Sequence, residues 1–152
     1  MARVFVSAAV RGVKTIGEME EALELFERAV EARRETLGDR HPATLTTLHN
    51  LAKFHVENGD RQVADPIVRA VADTAREVLA PDDYALGDHL VELGLHELAL
   101  RRYAEAEGAL LEAGDVYARA LEPDHPMRLR LRRTLHTLYT LWGKPKLASA
   151  YE

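Results

Sequence analysis

The chain has 152 residues, of which 47% are hydrophobic and 30% charged, with a formal net charge of −5 and no cysteine. The missing cysteine excludes disulfides and thiolate sites and fits a reducing, cytoplasmic compartment. The negative charge argues against non-specific nucleic-acid binding, and no apolar run approaches the roughly 20 residues of a membrane span. Alanine and leucine dominate while β-branched residues are scarce, so the composition predicts an all-α protein.

The N-terminal segment has a short apolar stretch, Val4–Val10, with basic residues on both sides of it. Because Arg11 and Lys14 follow so soon, the segment lacks the longer apolar region of a signal peptide. It is predicted to be the first helix of the chain.

Apolar residues at helical spacing and turn signals predict two kinds of helix in alternation. The shorter helices, called A, are predicted at about 3–16, 43–58, 84–100 and 126–142. The longer B helices are predicted at about 18–36, 60–79 and 102–120, with a terminal piece at 145–151.

The sequence repeats with a period of 42 residues. His41-Pro42 and His125-Pro126 lie two periods apart, and Pro81–Tyr84 is a degenerate copy midway between them. The same step relates four further series: Ala22, Ala64, Ala106 and Ala148; Leu37, Leu79 and Leu121; Leu51, Leu93 and Leu135; and Gly17, Gly59 and Gly143, in which Arg101 stands between Gly59 and Gly143. A fixed period of this length is typical of stacked helix pairs.

The repeat predicts one domain over 1–152, with helix pairs at about 3–36, 43–79, 84–120 and 126–151. The recurring alanines are expected where paired helices approach closely, so Ala64→Leu is expected to cost about 1–3 kcal/mol through overpacking.

The helix pairs resemble the tetratricopeptide repeat, which has a characteristic order of large, small and aromatic residues. One copy has Leu48-x2-Leu51-Ala52-x2-His55 followed by Ala64-x3-Val68. The 42-residue period is similar to the kinesin-light-chain type. The stretch from Tyr103 to Pro145 resembles the repeat tails of bacterial multidomain proteins such as Ser/Thr kinases. The resemblance implies a right-handed α-solenoid of antiparallel helix pairs with about three and a half repeats.

Three residues depart from the pattern. Arg101 replaces the turn glycine, so a looser or displaced turn is expected there. His136 replaces a small residue and is expected to crowd the last helix pair unless its ring points outward, and Arg132 replaces an apolar residue.

The sequence offers no catalytic, cofactor or metal site. The pairs His49/His55 and His89/His96 do not have the i, i+4 spacing of a helical metal site, and Gly143-Lys144-Pro145 lacks the rest of a phosphate loop. The carboxylates of the first B helix indicate a solvated face with weak ion pairs. We therefore expect no enzyme.

The resemblance implies that the A helices line a groove for a peptide or a partner helix. By position, the groove candidates are Thr46, His49, Asn50, Lys53, Asp88, Val91, Glu92, Leu95, Arg130, Arg133, Thr134 and Thr137. Asn50 matches the asparagine that bonds the ligand backbone in related grooves, a role that suits a side chain with both donor and acceptor.

The most distinct polar cluster in the sequence consists of four arginines, Arg128, Arg130, Arg132 and Arg133. They indicate either a solvated terminal face or a dock for an acidic or phosphorylated peptide, because guanidinium groups bind oxygens in pairs. Only Arg130 and Arg133 share the face expected to reach the groove.

The sequence is compatible with three functions. The leading one is a non-catalytic scaffold that binds a protein or peptide partner, for instance an acidic one. The alternatives are a structural array that self-associates, for instance as a homodimer through exposed terminal helices, and a regulatory tail of a larger signalling protein. No nucleic acid or membrane is expected as a partner.

Overall fold

The structure is a computed structural model that describes residues 15–152. Within that range the regular secondary structure is entirely helical, with no strand. The helices are α1 (Ile16–Leu37), α2 (Pro42–Glu57), α3 (Arg61–Val78), α4 (Tyr84–Ala99), α5 (Tyr103–Ala120), α6 (Pro126–Leu141) and α7 (Pro145–Ala148), followed by a 3₁₀ helix (Ser149–Tyr151). The A helix predicted at 3–16 lies almost entirely outside the described residues.

The chain forms two compact units, one up to Val71 and one from Ala72 onward, with the boundary inside α3. In the first unit α1 packs against α2, and the rings of Phe26 and Phe54 meet 5.5 Å apart. In the second unit α4 packs against α5, α5 against α6, and α6 against α7. Successive helices packed as neighbours confirm the predicted all-α fold class.

Within residues 15–152, each A helix begins with a side-chain cap at the same place in the period. The Nδ1 atoms of His41 and His125 accept hydrogen bonds from the second backbone N–H that follows, at 3.1 and 3.3 Å. Asp83 does the same with its carboxylate at 2.9 Å. Capping satisfies a helix N–H group that has no partner inside the helix, so the recurrence of His41 and His125 has a structural explanation.

The three A helices in the described part of the chain, α2, α4 and α6, end in the same left-handed turn. Gly59, Arg101 and Gly143 have φ of 91°, 59° and 73°. The next backbone N–H, that of Asp60, Arg102 or Lys144, donates to a carbonyl five residues back at 2.8–2.9 Å. This is the Schellman motif. The expectation of a looser or displaced turn at Arg101 is therefore wrong, because the arginine backbone adopts the glycine conformation.

Helix α1 begins two residues earlier than predicted. The side chain of Thr15 accepts a hydrogen bond from the backbone N–H of Glu18, and the Glu18 carboxylate accepts one from the backbone N–H of Thr15. This capping box fixes the helix start. Gly17 therefore lies in the first turn of α1 rather than in a left-handed turn. Its backbone conformation differs from that of Gly59 and Gly143, although the three share the 42-residue spacing.

Small residues allow close approach of the helices. Ala64, Ala106 and Ala148 are buried, and Ala22 is half-buried. In the second unit, a Cβ atom added to Gly94 of α4 would lie 2.5 Å from Cγ of Leu110 on α5. The large side chains that fill this core, Leu90, Leu110 and Leu138, are fully enclosed.

The two other departures from the repeat pattern are accommodated near the C-terminal helices. The ring of His136 does not crowd α7, because its Nδ1 lies 3.1 Å from the carbonyl oxygen of Ala148, within hydrogen-bond distance. The side chain of Arg132 is exposed and donates a hydrogen bond to the backbone oxygen of Glu152. Both side chains therefore contact the segment that packs on α6.

Candidate interaction surface

In the first unit, the groove candidates lie on α2. Thr46, Asn50 and Lys53 are exposed, and their spacing of four and three residues places them on one helical face. His49 is half-buried. The Thr46 hydroxyl donates to the carbonyl of Pro42 in its own helix at 3.0 Å. The amide of Asn50 and the ammonium of Lys53 are therefore the main groups that this face offers.

In the second unit, the candidates on α4 differ in exposure. Asp88, Glu92 and Leu95 are half-buried, whereas Val91 is only 6% exposed and belongs mainly to the core. The accessible chemistry of this helix face is thus acidic, from two carboxylates one helical turn apart.

Asp88 is held in place by Tyr117, a residue that the sequence analysis did not identify. The phenol of Tyr117, on α5, donates a hydrogen bond to Oδ1 of Asp88. The ring lies directly over Gly87, where an added Cβ atom would overlap it. The glycine therefore makes room for the tyrosine that orients the neighbouring carboxylate.

Burial, a hydrogen bond and nearby charges all affect the pKa of Tyr117. Burial raises the pKa of Tyr117 most, and the hydrogen bond to the Asp88 carboxylate raises it further. The negative charge of Glu92 also raises this pKa, whereas the positive charge of Arg130 lowers it. The hydroxyl thus lies within the electrostatic reach of side chains from both α4 and α6.

On α6, the two candidate arginines differ from the two candidate threonines. Arg130 and Arg133 are exposed, and within residues 15–152 neither guanidinium makes an ion pair or a hydrogen bond. The hydroxyls of Thr134 and Thr137 donate to carbonyls four residues back, at 3.1 and 3.0 Å. The arginines are therefore the groups of this face that remain available to a partner.

The four-arginine cluster is divided by its contacts. Arg128 donates to the carbonyl of Leu121 at 3.0 Å, and Arg132 donates to the backbone oxygen of Glu152. Arg130 and Arg133 make no such contact within the described range. The four arginines thus differ in their contacts, and the assignment of Arg130 and Arg133 to a shared groove face stays a prediction.

A second buried tyrosine, on α6, also donates a hydrogen bond from its hydroxyl to a carboxylate. Tyr139 donates to Oε1 of Glu107 at 2.8 Å, and its ring stacks on Tyr151 with the centroids 5.7 Å apart. Burial raises the pKa of Tyr139 most, followed by the hydrogen bond to Glu107. Neither tyrosine could be recognised from sequence, because its partner lies 29 or 32 residues away.

Buried polar groups occur at the ends of the A helices. Glu97 is 1% exposed, and its carboxylate lies 3.3 Å from the guanidinium of Arg102. One period earlier, His55 and Asp60 occupy the same two positions, with Nδ1 of His55 3.9 Å from Oδ2 of Asp60. The order of the basic and the acidic residue is reversed between the two copies, and in both copies the two side chains approach each other across the turn.

Residues 15–152 contain no group of three or more histidine and carboxylate side chains placed to hold a metal ion. None of the helices in that range has the length and the apolar character needed to cross a bilayer.

The comparisons with known proteins agree on the repeat. Family models described as the tetratricopeptide repeat match residues 15–77 and 89–126, which together make up about two thirds of the chain. No curated protein matches the chain.

Solved structures share the fold. The nearly identical TPR-like repeats of a Podosopora anserina protein assigned as a kinesin light chain are 27% identical to this chain, with a TM-score of 0.80. The match covers 89% of this chain and 64% of that one, and a single-residue variant gives the same values. BtubC (BKLC) from P. vanneervenii has a TM-score of 0.78 at 17% identity, over 89% of this chain and 54% of that one.

Proposed function

Because the chain belongs to the tetratricopeptide repeat family, we propose that it is a non-catalytic scaffold that binds a peptide or a helix of a partner protein. The binding surface in the second unit, called the A-face, consists of Asp88, Glu92 and Leu95 on α4 and Arg130, Arg133, Thr134 and Thr137 on α6. The absence of cysteine supports a cytoplasmic location.

The proposal rests mainly on the exposure of Arg130 and Arg133 and on their lack of an ion pair within residues 15–152. Both are exposed on one face of α6 and lack an ion pair in the described part of the chain, whereas Arg128 and Arg132 bind backbone oxygens. Guanidinium groups form strong paired hydrogen bonds with oxygen acceptors. Two such groups that the fold leaves unused favour an external partner.

The exposed face of α2 supplies a second set of groups. The Asn50 amide has both donors and an acceptor, so it suits the backbone of an extended peptide. We assign Thr46, His49, Asn50 and Lys53 to partner binding by the first unit, with Asn50 as the main contact. Asn50→Ala is expected to weaken capture without destabilising the exposed helix face.

Site-directed photo-crosslinking in cells tests the proposal. A photoreactive amino acid at Thr137, on the A-face, should capture a partner protein. The same group at Glu105, an exposed residue of the B helix α5, is the matched control. Arg130→Glu combined with Arg133→Glu should abolish the Thr137 adduct. Equal adducts from both positions, or an adduct that survives the charge reversal, would refute the proposal.

Self-association is the second candidate, because Leu141 and Leu147 near the last helices are 59% and 43% exposed. Large exposed apolar side chains favour contact with another surface. Sedimentation of the purified chain distinguishes the two functions: a dimer that Leu141→Glu dissociates supports self-association, and a monomer supports the scaffold.

A regulatory role within a larger signalling protein is compatible with the same surface. The chain spans about 64% of the Podosopora anserina structure that it matches. In that case the crosslinked partner is expected to be a domain of the larger protein, which the sequence of the adduct would reveal.

A further inference from the structure

The charges of the A-face are segregated by helix. The α4 part offers the carboxylates of Asp88 and Glu92, and the α6 part offers the guanidinium groups of Arg130 and Arg133. Asp88 and Arg130 are one 42-residue period apart, so an acid and a base occupy equivalent positions on consecutive A helices.

The two parts adjoin each other. Helix α4 contacts α6, and the hydroxyl of Tyr117, on α5, donates a hydrogen bond to Asp88 on α4. Glu92 and Arg130 have opposite effects on the pKa of this tyrosine, which agrees with α4 and α6 being neighbours. The surface therefore changes sign over the spacing of two packed helices, which is about 8–10 Å.

A ligand of uniform charge does not suit this surface. An acidic segment that binds Arg130 and Arg133 and continues over α4 meets Asp88 and Glu92, and a like charge close to another is unfavourable. A basic segment meets the reverse problem on α6. Because charges separated by about 10 Å are substantially screened at physiological salt, each helix acts mainly on the part of the ligand directly above it.

Building on the proposed function, we propose that the A-face binds a partner segment that carries both signs of charge. An acidic side chain of the segment pairs with Arg130 and Arg133, and a basic side chain pairs with Glu92. The helix spacing sets the separation of the two charges. It corresponds to about three residues in an extended segment or about five to seven residues in a helical one.

Selection of displayed random peptides on the whole purified chain tests this inference. The expected clones combine an acidic and a basic residue at one of these two spacings. Arg130→Glu with Arg133→Glu should select clones in which the acidic position becomes basic, and Glu92→Lys should convert the basic position to acidic. Lys146→Glu, a charge reversal at an exposed residue away from the A-face, should leave the selected pattern unchanged.

Affinity measurements on one synthetic mixed-charge peptide give the quantitative test. Glu92→Gln and Arg133→Gln should each weaken its binding by about twofold to fivefold, the range expected for exposed ion pairs. A peptide in which the basic residue is replaced by alanine should no longer respond to Glu92→Gln. Thermal unfolding of each variant confirms that these surface changes leave the fold intact.

The outcomes separate this inference from the function on which it rests. Clones that bind the A-face with acidic residues alone, or with uncharged residues, would overturn the mixed-charge ligand and leave the scaffold function standing. Failure to enrich any clone that depends on Arg130 and Arg133 would count against both.

Discussion

At the scale of single residues, Arg101 has a backbone conformation that its side chain disfavours. Its φ of 59° lies in the left-handed region, where a residue with a Cβ atom is less stable than glycine by roughly 1–2 kcal/mol. The turn nevertheless forms, because the N–H groups of Arg101 and Arg102 find carbonyl partners at 3.0 and 2.9 Å. The hydrogen bonds of the turn thus offset the backbone strain.

Replacement of this arginine by glycine should therefore stabilise the chain. Arg101→Gly removes the strain but increases the entropy of the unfolded chain, so the free energy of unfolding should rise by about 0.5–1 kcal/mol. Urea unfolding followed by circular dichroism measures the change.

The matched control is the reverse substitution one period later. Gly143 has φ of 73° and no atom within 4 Å of the place that a Cβ would take, so Gly143→Arg should lower the free energy of unfolding by a similar amount. If Arg101→Gly proved neutral or destabilising while Gly143→Arg was harmless, backbone strain would not be what distinguishes these turns.

At the scale of helix pairs, the contact between α4 and α5 depends on the absence of a side chain. Gly94→Ala would place a methyl group 2.5 Å from Cγ of Leu110 and 3.4 Å from the carbonyl oxygen of Ala106. Leu110 is fully buried, and the nearest atom is its Cγ rather than the end of the side chain. Relief of the overlap therefore requires a shift of the packed core. The substitution should cost about 1–3 kcal/mol through overpacking, measured as a lower midpoint of thermal unfolding.

Gly108, on the neighbouring helix α5, is the control for this prediction. It is exposed and has no atom within 4 Å of an added Cβ. Gly108→Ala should stabilise the chain by about 0.5–1 kcal/mol, since alanine favours the helix more than glycine does. Equal effects of the two substitutions would mean that helix propensity, rather than packing between α4 and α5, governs both positions.

At the scale of the whole molecule, periodicity made much of the fold predictable. Apolar spacing located the helices because burial on one face imposes that spacing, and the 42-residue period located the turns. The start of α1 was less predictable. The capping box of Thr15 and Glu18 overrides the repeat there and incorporates Gly17 into the helix.

The sequence could predict which candidate residues share a helix face, but not which residues their side chains contact. Position along an A helix identifies Arg130 and Arg133 as neighbours on one face. It does not indicate that Leu121 and Glu152 provide oxygens for Arg128 and Arg132, or that Tyr117 orients Asp88. Those contacts join distant parts of the chain and depend on how the helices pack.

The two buried tyrosines are expected to make the stability of the chain sensitive to alkaline pH. The ordinary pKa of tyrosine is 10.0, and burial together with a neighbouring carboxylate raises it in the folded chain at Tyr117 and Tyr139. The folded state therefore retains protons that the unfolded state loses. The stabilisation is fully present below pH 10 and is lost as the pH rises above it, at up to about 1.4 kcal/mol per pH unit for each tyrosine.

Urea unfolding between pH 8 and pH 11.5 should accordingly show a steep loss of stability above about pH 10. At pH 8, Tyr117→Phe should cost about 1–2 kcal/mol, because the half-buried Asp88 carboxylate loses its hydrogen bond. The difference between this variant and the parent should shrink as the pH rises, and Tyr117→Phe with Tyr139→Phe should flatten the curve further. Tyr84→Phe, at an exposed tyrosine, controls for the loss of a surface phenol. Parallel curves for parent and double variant would show that these two hydroxyls do not control the alkaline transition.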